Sequence, residues 1–324
     1  MAFYGRPAFG LGRRIVKLWY LKLHRWLALV FALPLVLVIL SGLVLSFEPA
    51  LVERSIAPGT LDAAKVVALL QRADPQGQAK MLSYRSYDNT LSIGSAPGRP
   101  GVTLDVATGQ PAQVSALATL MTTARRLHET LLVNAGWLVV SSTLAMLAMI
   151  GLGILLGLPR FANSLAGWHK GTAWALLPLL VLSPLSALLI TMGVTFSAPL
   201  PAAPNADATA PGLVQSVQVL AVDHDLSDLI WIRSQGSRVL ARLAEDGEYR
   251  VYLVSAAGVQ AMARNWPRLW HEGNFAGDIG VFLNAVVSVA LIGLLVSGIW
   301  LWLRRRLRMA RARARAIPAH NASA

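Results

Sequence analysis

"LHRWLALVFALPLVLVILSGLVLSFEP", residues 23–49, decides the fold class. From Leu27 to Phe47 it carries no charged side chain. A helix crossing the hydrocarbon core of a bilayer needs about 20 such residues. Further runs of this length and character lie at roughly 131–157, 173–196 and 279–303. The chain has 324 residues, 55% hydrophobic and 14% charged, with a mean hydropathy of +0.54. That is too apolar for a soluble domain and suits an integral membrane protein with extramembrane parts. The first run has the basic start of a signal peptide, but its apolar stretch exceeds the usual ~7–15 residues and no small-x-small cleavage site follows. It is expected to remain as a helix.

Charge sets the expected orientation. Segments 1–25, 158–172 and the tail from 304 hold 15 Lys and Arg and no acidic residue. The remainder holds 14 basic and all 16 acidic residues. The positive-inside rule then puts both termini in the cytoplasm. The tail "RRRLRMARARARAR" is read as a stop-transfer and anionic-lipid contact, not a nucleic-acid arm. Cysteine is absent, which excludes disulfides, thiolate metal sites and c-type haem attachment. Walker, GxGxxG, HExxH and GxSxG motifs are absent too.

Two segments are left for the outer side. The first contains "LDAAKVVALLQRA", apolar at helical spacing with Asp62 near its start, then "KMLSYRSYDNTLSIGSA" and "GVTLDVATGQP", which alternate like strands. The second opens with the linker "SAPLPAAPNADATAPG" and continues through "LVQSVQVLAV", "DLIWIRSQ" and "EYRVYLVSAAG". Each predicts a small α+β unit between two spans. The scheme is therefore a basic N-terminus (1–25), a span (26–47), an outer domain (48–127), a span with its preceding turn (128–157), a cytoplasmic loop (158–172), a span (173–196), a second outer domain (197–270), a span with its preceding turn (271–303) and a basic tail (304–324).

Six histidines test for duplication, and four flank the spans. His24 and His128 are 104 residues apart; His169 and His271 are 102 apart. His24 and His169 are followed by cations, Arg25 and Lys170; His128 and His271 are followed by Glu129 and Glu272. Two helix–domain–helix halves imply a pseudo-twofold along the membrane normal, a parallel repeat. It would set His24 across from His169 near one face and His128 across from His271 near the other. Histidine pairs are standard axial ligands of haem iron. Two pairs at two depths predict two b-type haems, one near each face.

Helical geometry leaves room for them. At about 100° per residue, Gly42 returns to the face of His24, and Ala187 to that of His169. Gly153 and Gly293 lie near the faces of His128 and His271. A small residue there would make space for the haem at the opposite end. Glycine is also common in membrane helices for plain packing.

"LHRWLALVFALPLVLVILSGLVLSFEP", "RLHETLLVNAGW", "WHKGTAW" and "LWHEGNFAGDIGVFLNAVVSVALIGLLVSGIWLWLRRR" together resemble the PepSY-associated transmembrane family, over nearly the whole chain. The segment 57–113 resembles a PepSY domain. The resemblance implies a bacterial inner-membrane protein with two periplasmic PepSY-like domains. Characterised members of that family include di-haem ferric-siderophore reductases. Three helix ends, Ser41-Gly42, Met192-Gly193 and Ser297-Gly298, depart from the family's usual Thr-Gly. They are read here as touching packing and not the histidines.

Each reading has a plainer rival. An interfacial histidine beside a glutamate needs no metal, and Arg25 or Lys170 can simply mark the lipid boundary. Arg25, Lys170, Arg125, Arg126 and Arg268 are candidate partners of haem propionates, or ordinary flank charges. Trp26, Trp168, Trp270 and Trp302 read as an interfacial belt. Met121, Met146, Met149 and Met192 read as packing filler. Asn284 and Ser288 are expected to make interhelical hydrogen bonds. His224, in "VDHDLSD", is expected in a polar loop, and His320 in a disordered tail.

The expected function is an electron conduit. A cytoplasmic protein or quinol would give electrons, and by the resemblance a periplasmic ferric siderophore would take them. Reduction weakens the hold of hard oxygen ligands on iron. The alternative is a non-catalytic periplasmic binding or regulatory protein anchored by its helices. A transporter is disfavoured because no Asp, Glu, Lys or Arg falls in mid-span. Neither reading involves nucleic acid; both put the spans against membrane lipid.

Overall fold

The computed structural model describes residues 9–95, 101–159, 162–198 and 210–316. His320 and most of the linker before 210 lie outside these. The chain divides into a helical unit (1–43, 125–188 and 286–324) and a sheet unit (44–124 and 189–285).

The helical unit begins with α1 (Phe9–Val30), followed by α2 (Ala32–Leu45). The break at Phe31 has a local cause: Pro34 has no N–H to give the Val30 carbonyl. Helical bonds nonetheless run through it, from the Phe31 N–H to the Leu27 carbonyl and from the Leu35 N–H to the Phe31 carbonyl. Chain order then continues into the sheet unit with α3 (Glu48–Ser55) and α4 (Ala63–Ala73). Asp62 caps α4, accepting the Lys65 N–H at 2.7 Å, as its place in the sequence predicts.

Strands β1 (Met81–Arg85), β2 (Thr90–Gly94) and β3 (Val102–Asp105) follow, and then α5 (Ala116–Thr130). The second span is α6 (Gly136–Leu155). The third is not the straight helix expected over 173–196. It is α7 (Leu165–Ala175) and α8 (Leu177–Thr191), bent by 65°. Pro178 has no N–H for the Trp174 carbonyl, and Pro184 removes a further bond inside α8. After α9 (Leu213–Leu220) come β4 (Leu229–Gln235), β5 (Arg238–Glu245), β6 (Glu248–Ser255) and β7 (Gly258–Ala261), then α10 (Trp266–Glu272) and α11 (Asp278–Ala316). At 1.5 Å per residue α11 is about 58 Å long, so the basic tail begins as helix. Among the described residues three helical stretches are long and apolar enough to cross a membrane: Ala32–Ser55, α6 and α11. The bent α7–α8 pair makes a fourth if it counts as one span.

The two outer segments each supply a helix followed by antiparallel strands, as expected, but they do not form separate domains. They share one seven-stranded sheet in the order β3-β2-β1-β4-β5-β6-β7. The join is antiparallel, with Leu82 opposite Ile232. Joining the first strand of each half removes two exposed edges at once, a common hazard of short sheets. One hydrophobic core results. Leu82, Leu91, Ile232, Val239 and Leu243 from the strands pack with Val66, Leu69 and Leu70 of α4 and Val217 and Leu220 of α9. Strand β5 shows the period of 2 that this requires, with Val239, Ala241 and Leu243 buried and their neighbours partly exposed. Its hairpin to β6 turns through Asp246 and Gly247, both at positive φ (52° and 70°). An Asp-Gly pair is a strong two-residue turn signal.

Candidate functional site: histidines held by serine–glycine steps

His128 lies near the end of α5, half-buried. Its Nδ1 is 2.9 Å from the Val38 carbonyl oxygen and 3.3 Å from Ser41 Oγ. A carbonyl can only accept, so the ring hydrogen sits on Nδ1. Ser41 donates its own hydrogen to the Leu37 and Val38 carbonyls, at 2.7 and 3.0 Å, which leaves its oxygen as an acceptor too. Ser41 is 3% exposed. At the next residue, Gly42, an added Cβ would stand 3.1 Å from His128 Cε1. That is too close without movement of the ring.

His169, on α7, repeats the arrangement with α11. Its Nδ1 is 2.8 Å from Ser297 Oγ. Ser297 donates to the Leu294 carbonyl at 3.1 Å, so here again the hydroxyl oxygen accepts from Nδ1. The Leu294 carbonyl also neighbours the imidazole. A Cβ on Gly298 would lie 3.5 Å from His169 Cε1, ordinary contact. The trio carbonyl, serine, glycine at Val38/Ser41/Gly42 thus recurs at Leu294/Ser297/Gly298. With Nδ1 carrying the hydrogen, Nε2 is the unprotonated nitrogen of each neutral ring, the tautomer in which histidine ligates a metal through Nε2.

The expectation that these Ser-Gly steps touch only packing is therefore corrected: both touch histidines directly. By the offsets of 17 and 18 residues from His24 and His169, the parallel repeat pairs Ser41-Gly42 with Ser186-Ala187. Ser186 is fully buried and donates to the Ser183 carbonyl at 2.9 Å, as Ser41 donates to that of Val38.

The other predicted residues fall as follows. His24, on α1, is half-buried. Arg25 is half-buried and lines a groove with Arg305 and Arg306. Lys170, Arg125 and Arg126 are exposed. Gly153 and Gly293 face open space, since a Cβ on either meets nothing within 4 Å.

His271 belongs to the sheet unit and lies near the end of α10. Asn284 of α11 donates to its backbone carbonyl at 2.8 Å, the helix-to-helix bond expected of that residue. Helix α10 ends at Gly273, whose φ of 67° and close approach to Asn284 (2.6 Å from an added Cβ to Nδ2) admit only glycine. Arg268 pairs with Glu272 at 2.7 Å, and Arg242 pairs with the same carboxylate at 2.6 Å.

His224 lies in the polar loop after α9, as expected, with its ring partly buried. Its Nδ1 pairs with Glu245 at 2.7 Å, its ring packs 4.5 Å from that of Tyr252, and Tyr252 donates to Glu245. Burial, then the Glu245 bond, pushes the Tyr252 hydroxyl up to about 12. Nearby, Asp228 is pushed up to about 6 by burial and by the charges of Asp225, Glu245 and Asp246. Among the described residues no three His, Asp or Glu side chains converge as a metal cage.

A family model described as PepSY-associated TM region matches residues 21–305, and the chain belongs to that family. A search of curated proteins found no match.

Proposed function

We propose that this member of the PepSY-associated TM family is an inner-membrane b-type haem protein that carries electrons from the cytoplasmic side to the periplasm, with a ferric siderophore as acceptor. One observation carries the reading: two imidazoles, on different helices, are each held through Nδ1 by the same carbonyl–serine–glycine trio, which puts the ring hydrogen on Nδ1. An axial ligand needs its Nδ1 fixed in this way so that Nε2 can meet the iron.

The donor set fits haem and not a bare ion. The candidate ligands are His24, His169, His128 and His271. Bound haem would supply a one-electron iron couple. The chain's own residues hold the rings, set their tautomer and surround them with apolar helices. Arg25, Lys170, Arg125 and Arg126 are candidate partners of the haem propionates. The excess of Lys and Arg in 1–25, 158–172 and 304–324 supports cytoplasmic termini and a periplasmic sheet unit. Oxygen-rich ferric chelates suit such a chain as acceptors because their iron is held less tightly once reduced.

The test is the reduced-minus-oxidised spectrum of the purified protein with haem quantitation. Two b-type haems per chain support the conduit. A colourless protein that still binds a periplasmic partner supports the anchored binding protein instead.

A further inference from the structure

Within the helical unit a groove of about 380 Å³ is lined by Arg25, Trp26 and Leu29 of α1 and by Trp302, Arg305 and Arg306 of α11. Three guanidiniums meet there. The residues of this unit include one acidic side chain, Glu129, next to His128. Among the described residues none of the three arginines forms an ion pair; Arg306 instead stacks over Trp302, 5.8 Å from its ring centre. Positive charges gathered without a protein counter-ion call for an anion from elsewhere. The walls say which kind. Two indoles and Leu29 line one site with the guanidiniums, which suits an amphiphile whose charged end meets the arginines and whose apolar end continues into the bilayer. Planar guanidiniums match phosphate oxygens in pairs.

We propose that this groove binds the phosphodiester head group of an anionic phospholipid as a specific site, distinct from the diffuse attraction of the basic tail. The proposal does not depend on haem.

The experiment is native mass spectrometry of the full chain in mild detergent, titrated with phosphatidylglycerol or phosphatidylcholine. Wild type should retain phosphatidylglycerol and not phosphatidylcholine; equal retention would overturn the site. R305Q/R306Q should weaken retention about thirtyfold, from about 1 kcal/mol per basic residue at an anionic surface, at about 1.4 kcal/mol per tenfold. R308Q/R311Q removes the same charge from the same helix outside the groove and should change retention less than about threefold. Equal losses in the two double variants would mean only a diffuse field. Displacement of the lipid by equimolar soluble glycerophosphate would mean a free phosphate ligand. His24→Ala should retain lipid as wild type does. Loss of lipid in that variant, or loss of haem but not lipid in R305Q/R306Q, would assign the groove to haem propionates and overturn the proposal.

Discussion

His128 and His169 sit against the same three-residue step yet are held by different atoms. His128 leans on a backbone carbonyl, Val38, with the Ser41 hydroxyl further off at 3.3 Å. His169 leans on the Ser297 hydroxyl at 2.8 Å. Packing runs the other way. Gly42 leaves His128 no spare room, at 3.1 Å from an added Cβ, whereas Gly298 gives His169 ordinary contact at 3.5 Å. One ring is thus fixed by backbone and a tight glycine, the other by a side chain with slack around it. The two sites should fail to different substitutions.

The largest effect is loss of a ligand. His128→Ala and His169→Ala should each lower haem content from about two per chain to about one, because the opposite pair keeps its own ligands. Pyridine haemochrome assay checks this; loss of both haems in either variant would mean the sites are not separate. Next in size is the glycine pair. Gly42→Leu forces the His128 ring out of place at a cost of roughly 1–3 kcal/mol. It should empty the His128 site while the His169 site stays loaded. Gly298→Ala should leave both occupied. Reversal of that order would break the comparison.

The serines should show the opposite ranking. Ser297→Ala removes the main acceptor of His169 Nδ1–H, a bond of about 0.5–1.5 kcal/mol. A less polarised imidazole is a poorer donor to ferric iron. The midpoint potential of that site should therefore rise, on the order of 20–60 mV at about 59 mV per tenfold for one electron. Ser41→Ala should shift the His128 site less, since Val38 still accepts. Redox titration of both variants decides it, and equal shifts would show that the carbonyl does not hold His128.

The smallest effect on the site, none, is expected from Asp228→Asn in the sheet unit. Burial and neighbouring carboxylates raise its folded pKa to about 6. The folded state then holds a proton that the unfolded chain has released, so stability falls as pH rises from about 4 to about 6 and stays lower above. Asp228→Asn should flatten that fall and stabilise the sheet unit at pH 7 by about 1 kcal/mol, discounted for its partial exposure. Thermal melts at pH 4.5 and 7 measure this, with haem content unchanged. A melt whose pH dependence is the same in both proteins would remove Asp228 as the cause.

The spans were legible because a run of about 20 uncharged, mostly apolar residues is the length a bilayer demands and a soluble core rarely needs. Their breaks were legible too, since Pro34 and Pro178 stand in plain view, but run length alone passes over them. The Asp62 cap and the alternating strands are local signals and read correctly. The pairing of β1 with β4 is not local. Leu82 and Ile232 are 150 positions apart, and nothing in either strand names its partner. Strand β5 was missed although Asp246-Gly247 marks its end.

For the site, histidine spacing found the rings, and the serines escaped for the same reason as the sheet join. Ser41 and Ser297 lie 87 and 128 residues from the rings they touch. The available signal was the Ser-Gly pair itself, present near the far end of the first and last spans. A buried hydroxyl beside a glycine in a membrane helix marks a close neighbour with a polar edge.

The most direct measurement is haem quantitation on purified wild-type chain together with its electron paramagnetic resonance spectrum in the oxidised state. Two low-spin haems per chain, each with two nitrogen axial ligands, are the expected result. A chain that binds no haem when expressed with ample haem supply, or binds it with a high-spin iron lacking a second histidine, would contradict ligation through the Nε2 atoms of His128 and His169.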